Sequence, residues 1–422
     1  MEGKRRMDEK PDGLLSGFRA LDLTNEQGFV CGKILAALGV DTIKIEQPGG
    51  DPARNTPPFL GDIHDPQKSL YWQAFNTDKR GITLNLKTAR GQDLFKRLVK
   101  EADFVLESFS PGSLDAIGIG YEVLNQLNPR IIVTSITPFG QKGPHSGYKA
   151  SELIIAAMGG VMDNTGDPDR APLKESLDAC YFHGNVAAAV GTVMAHYFRQ
   201  TTGEGQQVDV SLHEVAASRD AVNLIQWDFD KYLIKRSGPK TRYGGATVQT
   251  VWPCKDGYLS WTMFAGLIGA DTNRALSNWM DDEGEPNPLR EVTDWKALDL
   301  PTMPRETIDR FEAAIGAFFL KRTKKEIREE GRRRKVNAAV LDGPDEILEN
   351  VQLKARNYFR ELRYPEWGKK LNYPGYFFLC SETENFIRRR APFIGEHNVE
   401  IYTNELGLPL AEIEALKSSG VI

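Results

Sequence analysis

The sequence lacks the cysteine and histidine patterns on which metal sites and disulfide frameworks depend. Its four cysteines, Cys31, Cys180, Cys254 and Cys380, are widely spaced and form no CxxC pair, so neither a zinc site nor a disulfide framework is indicated. The six histidines show neither HExxH nor HxxxH spacing, which removes the usual helical metal motifs. We therefore expect reduced cysteines and no metal ion.

A dominant charge of one sign and long apolar runs are also missing. Lysine plus arginine count 53 against 58 acidic residues, a balance too even for a protein that binds nucleic acid by neutralising phosphates. No apolar run reaches membrane-spanning length, and the start MEGKRRMDEKPDG has no apolar core of a signal peptide. We expect a frayed N-terminus, a cytoplasmic location, and neither nucleic acid nor membrane as a partner.

Short apolar runs alternate with periodic segments along the first half of the chain. The runs LLSGFRALDL, DTIKIEQ, DFVLES and RIIVTSI are typical of strands, and GFVCGKILAALG and RGQDLFKRLVKEA have helical periodicity. This alternation predicts βαβ units and a parallel sheet, and hence an α/β fold. Near residue 230 the composition changes to the basic stretch KYLIKRSGPKTRYGG. A smaller α+β domain is expected after it, with one helical segment RFEAAIGAFFLKRTKKEIREEGRRRKV.

The stretch ESLDACYFHGNV places an acid, a thiol and an imidazole just ahead of the small-residue run AAAVGTVMA. Such a junction before a tightly packed helix is where an acyl-transfer enzyme would hold a nucleophile. Cys180 and His183 lie three residues apart, so on a first helical turn they would share one face. Simple packing near a helix start is favoured over a reactive thiol–imidazole pair, because reactive cysteines are rare.

Six longer stretches carry a resemblance to a known family. In order they are LLSGFRALDL, LAALGVDTIKIEQPGGDPAR, NTDKRGITLNLKTARGQDLFKRLVKEAD, SPGSLDAIGIGYEVLNQLNPRIIVTSITPFGQKGP, TTGEGQQVDVSLHEV and RAPFIGEHNVEI. Together they resemble the class III CoA-transferases, which include formyl-CoA and carnitine CoA-transferases and the related acyl-CoA racemases. The resemblance runs from residue 14 to the end of the chain and is thinnest between residues 230 and 340.

This resemblance implies the architecture and the ligand. A large Rossmann-like domain would be built from both chain ends, residues 14–230 and 341–422, around a small α+β domain of residues 231–340. Two subunits would be intertwined like links of a chain. CoA or acyl-CoA would bind as a substrate, and no permanently bound cofactor is expected.

The resemblance also implies which cations meet the CoA phosphates. The motif positions match Arg54, Lys79 and Lys149, and positive side chains suit a pyrophosphate and a 3′-phosphate. Each lysine taken alone would more simply be a solvated surface charge, but the match at three places favours a CoA-binding role. The stretch LDAIG departs from the pattern, with Ala116 where relatives often carry arginine.

The catalytic aspartate of the family has no direct counterpart here. In the family it attacks the acyl-CoA thioester, forms a mixed anhydride and then becomes an enzyme-bound CoA thioester. Counted back from TTGEGQ without a gap, its place falls on Tyr181 or its neighbours Cys180 and Phe182, none of which is a carboxylate. A three-residue insertion would bring Asp178 into register, and Glu152 resembles a second acidic residue near the site. Asp178 and Glu152 are therefore the fallback candidates.

The racemase branch of the family is disfavoured. Racemases use a histidine–aspartate pair for α-proton transfer, and the positions matching it in KASELIIAAMGG read Ser151 and Glu152. With no histidine at Ser151 and no aspartate at Tyr181, a racemase would lack both its acid and its base.

Two classes of function remain. The favoured one is a non-catalytic subunit that pairs with a homologous, aspartate-bearing subunit, as in heteromeric members such as the succinyl-CoA:benzylsuccinate type of anaerobic toluene degradation. The alternative is a catalytic homodimer that uses Asp178. In both, CoA passes from an acyl-CoA such as succinyl-CoA to a carboxylic acid, which the sequence does not identify.

Overall fold

The fold is described from a computed structural model of residues 13–243, 245–376, 378–383 and 387–422. The charged N-terminal stretch that we expected to be frayed, residues 1–12, lies outside these ranges. Internal contacts divide the chain into two units. The first unit contains the residues up to Val161, Glu175–Leu224 and Gln352–Ile422, and the second contains Met162–Lys174 and Ile225–Val351.

A six-stranded parallel sheet forms the centre of the first unit. Its strands are β1 Arg19–Asp22, β2 Asp41–Glu46, β3 Arg80–Thr83, β4 Phe104–Glu107, β5 Ile132–Thr137 and β6 Gln207–Ser211. They lie in the order β3-β2-β1-β4-β5-β6, and every neighbouring pair is parallel. This is the strand order of the doubly wound Rossmann fold, so the predicted α/β fold with a parallel sheet is confirmed.

Fifteen α-helices lie within the described residues. They are α1 Phe29–Ala37, α2 Leu70–Phe75, α3 Ala89–Val99, α4 Ser113–Ala116, α5 Tyr121–Leu127, α6 Glu152–Met158, α7 Ala179–Thr202, α8 Leu212–Ser218, α9 Ala221–Asp230, α10 Gly266–Asp282, α11 Arg305–Leu320, α12 Lys324–Arg334, α13 Pro344–Glu349, α14 Val351–Ala355 and α15 Leu410–Ser418. Short 3-10 turns lie at Pro52–Asn55, Leu60–Asp62, Pro288–Glu291 and Pro365–Trp367, and a π-helical turn at Glu400–Glu405.

Helix α7 packs closely on its neighbours because its buried side carries small residues. A Cβ added at Gly184 would lie 2.2 Å from a methyl carbon of Leu212, so a larger residue would displace helix α8. The buried side chain of Asn185 accepts a hydrogen bond from the backbone N–H of Cys31 (2.8 Å) and donates one to the carbonyl of Gln27 (2.7 Å). These contacts hold α7 against the start of α1. They explain the small-residue run seen in the sequence.

Residues from the C-terminal end complete the core of the first unit. Ile401 and Ile413 belong to the same buried apolar cluster as Leu21 of β1. The Tyr402 hydroxyl donates a hydrogen bond to the carbonyl of Thr83 at the end of β3 (2.7 Å). The Rossmann-like unit is therefore built from both chain ends, as the resemblance implies.

The second unit is an α+β structure. The remaining strands of the chain are β7 Lys240–Tyr243, β8 Ala246–Gln249, β9 Val251–Cys254, β10 Gly257–Ser260, β11 Ala339–Val340, β12 Phe359–Tyr364 and β13 Lys369–Pro374. In the second unit β7 pairs with β8, and β11-β10-β9 form an antiparallel sheet. A core that includes Trp252, Trp261, Trp279 and Phe319 joins this sheet to the helices. Strands β12 and β13 form an antiparallel pair in the first unit.

Two sequence expectations differ from the structure in detail. The helical segment predicted in RFEAAIGAFFLKRTKKEIREEGRRRKV is two helices, because Thr323 and Glu326 form a capping box that starts α12 after α11 has ended at Leu320. The contact-based division falls at residues 224 and 351 and assigns 162–174 to the second unit. The domain ranges 14–230, 231–340 and 341–422, and the intertwined dimer, stay predictions.

Candidate functional site

A cavity of about 530 Å³ opens at the carboxyl ends of the parallel strands. Its lining includes residues that follow four of them: Thr24 after β1, Gln47 after β2, Asn85 after β3 and Phe109 after β4. The strand order changes direction between the neighbours β1 and β4. Open α/β sheets bind their ligands in the crevice at such a switch point. We therefore take this cavity as the candidate ligand site of the first unit.

The cavity combines an apolar slot with a cation. Leu23, Ile45 and Leu84 line it as buried side chains, and Phe109 lines it with 39% of its surface exposed. Lys87 also lines it and is exposed, and no ion pair holds Lys87 within the described residues. An apolar slot with an ammonium group at its edge suits a planar base that carries phosphate groups.

Arg54 lies inside the fold and does not line this cavity. Its Nε donates a hydrogen bond to Oε2 of Glu46 (2.6 Å), and its Nη2 donates one to Oε1 of the same carboxylate (2.7 Å). Nη2 also donates to the carbonyl of Pro392 (2.9 Å). The guanidinium lies 3.8 Å from the ring centroid of Trp72, and Nη1 donates to the side-chain oxygen of Gln67 (3.3 Å). Arg54 is completely buried, and these partners hold its side chain within the fold. Its expected contact with a CoA phosphate stays a prediction.

Lys79 is also completely buried. Its Nζ donates to the carboxylate of Asp22 (2.7 Å), the carbonyl of Phe29 (2.8 Å) and the side-chain oxygen of Asn76 (2.8 Å). An ammonium group has three N–H donors, so none remains for a phosphate. Buried Lys44 lies 3.6 Å from Asp22 on the same carboxyl group. Burial raises the pKa of Asp22, but the attraction of the two lysines outweighs it and lowers that pKa. Lys79 therefore has a structural role in this geometry, and its expected phosphate contact stays a prediction.

Of the three predicted phosphate ligands, Lys149 alone is exposed. It lies in the loop between β5 and α6 and does not line the cavity. Ala116, where relatives often carry arginine, is exposed in α4, close in sequence to the lining residues Leu114 and Ile117. None of Arg54, Lys79 and Lys149 lines this cavity, and the phosphate-binding role of all three stays a prediction.

Glu152 closes the start of helix α7. Its Oε1 accepts a hydrogen bond from the backbone N–H of Cys180 (2.9 Å), and its Oε2 accepts one from that of Tyr181 (2.9 Å). First-turn N–H groups have no partner within their own helix, and a negative charge is favoured at that end of the helix dipole. With a backbone donor on each oxygen, Glu152 positions the start of α7, and its catalytic role as a fallback candidate stays a prediction.

Tyr181 is one of the three positions, with its neighbours Cys180 and Phe182, on which the expected place of the catalytic aspartate falls. Its side chain is buried, with 7% of its surface exposed. Burial, together with the nearby carboxylates of Glu26, Glu152 and Asp178, raises the pKa of its phenol. The phenol therefore stays protonated near neutral pH, and the first turn of α7 presents no carboxylate at this place.

The thiol and the imidazole of this junction do not form a pair. Cys180 is 1% exposed, and burial together with Glu152 raises the pKa of its thiol to about 11. His183 is exposed, and no hydrogen bond joins it to Cys180 in the described part of the chain. The favoured reading of Cys180 as a packed, protonated thiol agrees with this geometry.

Asp178 is the carboxylate closest in sequence to the missing aspartate. It directly precedes α7 as its N-cap residue, its side chain makes no capping hydrogen bond, and it is exposed. Its negative charge contributes to the raised pKa values of both Tyr71 and Tyr181. Asp178 therefore lies close to the Tyr181 phenol, at the residue that directly precedes helix α7.

Glu107, at the carboxyl end of β4, is a buried acid that the sequence analysis did not single out. Its Oε2 accepts the backbone N–H of Phe109 (2.8 Å), which lines the cavity. Burial raises the pKa of Glu107 to about 7, and a hydrogen bond from Ser135 opposes part of that rise. A group with this pKa changes its charge near neutral pH, directly behind the cavity wall.

No three His, Cys, Asp or Glu side chains in the described ranges are grouped so that they could hold a metal ion. Among the helices that the structure describes, none is long and apolar enough to cross a bilayer.

The chain is a CoA-transferase and belongs to CoA-transferase family III, whose family model matches residues 15–398. CoA thioesters are the substrates of such enzymes. The chain is 33% identical to the succinyl-CoA:(R)-benzylsuccinate CoA-transferase subunit BbsE of Thauera aromatica over 96% of this chain and 98% of that protein. It is 30% identical to the formyl-CoA:oxalate CoA-transferase of Streptomyces avermitilis over 97% of this chain and 99% of that protein.

A solved structure gives the same assignment. The crystal structure of a CAIB/BAIF family protein from Brucella suis is similar with a TM-score of 0.80 and 26% identity, over 93% of this chain and 99% of that one. The family resemblance drawn from the six sequence stretches is confirmed.

Sequence reasoning missed Lys87 as the cation of the cavity. Lys87 lies inside the quoted stretch NTDKRGITLNLKTARGQDLFKRLVKEAD, four residues after the end of β3. Its position directly after a strand of a parallel sheet is a usable signal, since ligand crevices lie at strand carboxyl ends. Lys79 lies just before the same strand. Both are lysines of one sequence motif. They differ in the structure because Lys79 is buried and Lys87 is exposed.

We predict that Arg54→Met lowers the free energy of unfolding by about 3–5 kcal/mol, because it leaves the buried carboxylate of Glu46 without its partner. Chemical denaturation measures this loss. The exposed control Lys149→Met is expected to change stability by less than about 0.5 kcal/mol. A stable Arg54→Met protein with salt-dependent loss of CoA affinity would restore Arg54 as a phosphate ligand.

We predict that Glu107→Gln changes the pH dependence of stability in one window. Between pH 4.5 and about 7 the unfolded chain ionises Glu107 while the folded chain keeps its proton, so the native protein loses stability relative to the variant as pH rises. The difference grows by about 3 kcal/mol across that window and is constant above it. Denaturation of both proteins from pH 4 to pH 8 tests this, and a constant difference would show that Glu107 titrates normally.

Proposed function

We propose that this chain is the non-catalytic subunit of a heteromeric CoA-transferase. In this proposal the enzyme moves CoA from an acyl-CoA such as succinyl-CoA to a carboxylic acid, with benzylsuccinate as one candidate acceptor. A homologous partner subunit supplies the aspartate that attacks the thioester. A cytoplasmic location and a place in anaerobic toluene degradation belong to the proposal as well.

The first turn of α7 carries this proposal. The place of the family's catalytic aspartate is taken by the buried phenol of Tyr181, and the nearby Glu152 is committed to the backbone of that same turn. A mixed anhydride requires an attacking carboxylate, because a phenol would give an ester of different reactivity. The chain therefore keeps the scaffold of a transferase site without the group that carries the acyl transfer.

An exposed apolar stripe on α7 supports the need for a partner. Val190, Met194, Tyr197 and Phe198 are between 52% and 76% exposed and lie at helical spacing along one face. We call these four residues the α7 stripe. Contiguous apolar surface of this kind is typical of protein–protein interfaces. A homologous subunit is the occupant that the intertwined arrangement of the family implies, and the relative from Thauera aromatica is itself named as a subunit.

CoA binding is assigned in this proposal to the switch-point cavity. The apolar slot of Leu23, Ile45 and Leu84 would hold the adenine base, and Lys87 would meet a phosphate group. Lys149 stays a second candidate cation. Arg54 and Lys79 would stabilise the fold through their buried ion pairs and would not contact CoA.

A second candidate function rests on Asp178. Its exposed carboxylate directly precedes α7 and lies close enough to Tyr71 and Tyr181 to affect the pKa of both phenols. If a small shift of the loop brings Asp178 to the thioester, the chain is a catalytic homodimeric transferase.

The CoA assignment predicts a defined loss for Lys87→Ala. Removing this cation should weaken CoA binding by about three- to tenfold at low salt, and the effect should shrink as ionic strength rises, because the lost contact is electrostatic. Isothermal titration of CoA and dephospho-CoA measures it. Lys100→Ala removes an exposed charge at the end of α3 and serves as the matched control. Equal affinity of the two variants would remove Lys87 from the site.

The partner model predicts where a covalent intermediate forms. Incubated alone with succinyl-CoA, this chain should yield no adduct after hydroxylamine or borohydride trapping, because Tyr181 is protonated and not a carboxylate. Mixed with an aspartate-bearing homologous subunit, it should support transfer, with the adduct mass on the partner. Intact-mass spectrometry reads both results.

Asp178→Ala separates the two candidate functions. In the partner model this variant leaves turnover of the mixed enzyme nearly unchanged. A trapped adduct on the chain alone that disappears in Asp178→Ala would show instead that this chain is catalytic. Asp169→Ala, which removes another acid of the chain, controls for a general effect of lost charge.

A further inference from the structure

The second unit contains a cavity of its own, of about 660 Å³. Much of its wall comes from the basic stretch KYLIKRSGPKTRYGG, which the family assignment leaves without a role. Four of the lining side chains are cationic: Lys235, Arg236, Lys240 and Arg242. A cavity with this concentration of positive charge is a candidate anion site.

Two of the four cations have acidic partners. Arg236 lies 3.6 Å from the carboxylate of Asp163, and its Nη1 donates to the carbonyl of the same residue (2.9 Å). Lys240 lies 4.0 Å from the carboxylate of Glu312, which also accepts the backbone N–H of Gln249 (2.7 Å). These contacts hold the wall of the cavity, and they compensate two of its four positive charges.

The other two cations are not compensated. Lys235 is exposed, and Arg242 lies over the ring of Tyr232 at 4.4 Å from its centroid. Within the described ranges neither forms an ion pair. A guanidinium that lies over an aromatic ring can still donate two hydrogen bonds from its edge to a carboxylate.

The two uncompensated charges come from different parts of the wall. Lys235 lies in the segment before β7, and Arg242 lies near the end of that strand. A ligand with two separate carboxylates matches two separate cations, whereas one phosphate group needs its cations at one point. The apolar side chain of Ile234 and the ring of Tyr232 also line the cavity and suit a short hydrocarbon body.

We propose that this second-unit cavity binds a small organic dicarboxylate through Lys235 and Arg242. The assignment rests on the proposed function for one point, that the candidate acceptor benzylsuccinate is a dicarboxylate. Arg236 and Lys240 act as positioning residues in it, because their acidic partners hold the wall on which the two free cations lie.

Calorimetric titration of the full chain with succinate tests the proposal. Succinate should bind, and butyrate, with one carboxylate and a similar body, should bind at least about tenfold more weakly. Lys235→Ala/Arg242→Ala should weaken succinate binding by about tenfold or more, and Arg242→Lys, which keeps the charge and loses the planar fork, by a smaller factor. Circular dichroism confirms that each variant is folded.

The matched control is Lys255→Ala/Arg332→Ala, which removes the same two charge types from exposed positions of the second unit outside the cavity. It should bind succinate like the unaltered chain. Equal succinate affinity in the cavity variant and the control overturns the proposal, as does a cavity-dependent loss of adenosine 3′,5′-bisphosphate binding with succinate binding unchanged. The second result would assign the cavity to phosphate.

This titration is independent of thioester chemistry. Cavity-dependent succinate binding without transfer activity in the mixed enzyme would retain the dicarboxylate site and reject the proposed function. Transfer activity in the mixed enzyme, together with succinate binding that the cavity variant does not weaken, would retain the proposed function and reject the dicarboxylate site.

Discussion

The carboxylate of Glu152 determines how the longest described helix begins. It accepts the backbone N–H groups of Cys180 and Tyr181 at 2.9 Å each, at the positive end of a helix of 24 residues. Because α7 is then held by Asn185 against the start of α1 and by Gly184 against α8, its first turn has little freedom to move. These contacts therefore fix the position of Tyr181. Glu152 contributes to this site by holding the first turn of α7 in place.

Buried ion pairs hold two of the charged motif residues inside the fold. Arg54 with Glu46, and Lys79 and Lys44 with Asp22, are all completely or almost completely buried. A buried charge is tolerated only when it is paired and hydrogen-bonded, and removal of one partner leaves the other charge buried without compensation. These pairs lie beside the carboxyl ends of β1 and β2, so they support the wall of the ligand cavity from within. Lys87 differs from them because its side chain remains in solvent.

The two units contribute different chemistry to the proposed enzyme. The first unit has a switch-point cavity with an apolar slot, suited to a nucleotide base, and an exposed α7 stripe suited to a partner. The second unit has a cationic cavity in which two of four positive charges are already compensated. Uncompensated charge, rather than the number of cations, is what remains available for a ligand, because each internal partner satisfies the cation it faces.

The sequence by itself determined the parallel sheet, the α1 and α3 helices and the family, because hydrophobic periodicity and ordered motifs are properties of the local chain. It also located the absence of a carboxylate at Cys180, Tyr181 and Phe182, since that requires only a count along the chain. Tertiary structure alone decided which charges are buried in ion pairs and which remain exposed. Arg54, Lys79 and Lys87 are all cations within family motifs, and their roles separate only when the fold brings Glu46, Asp22 and Asn76 against the first two. The same holds for Glu152, whose partners lie 28 and 29 residues away in the chain. Burial and pairing depend on residues distant in sequence, which no local pattern records.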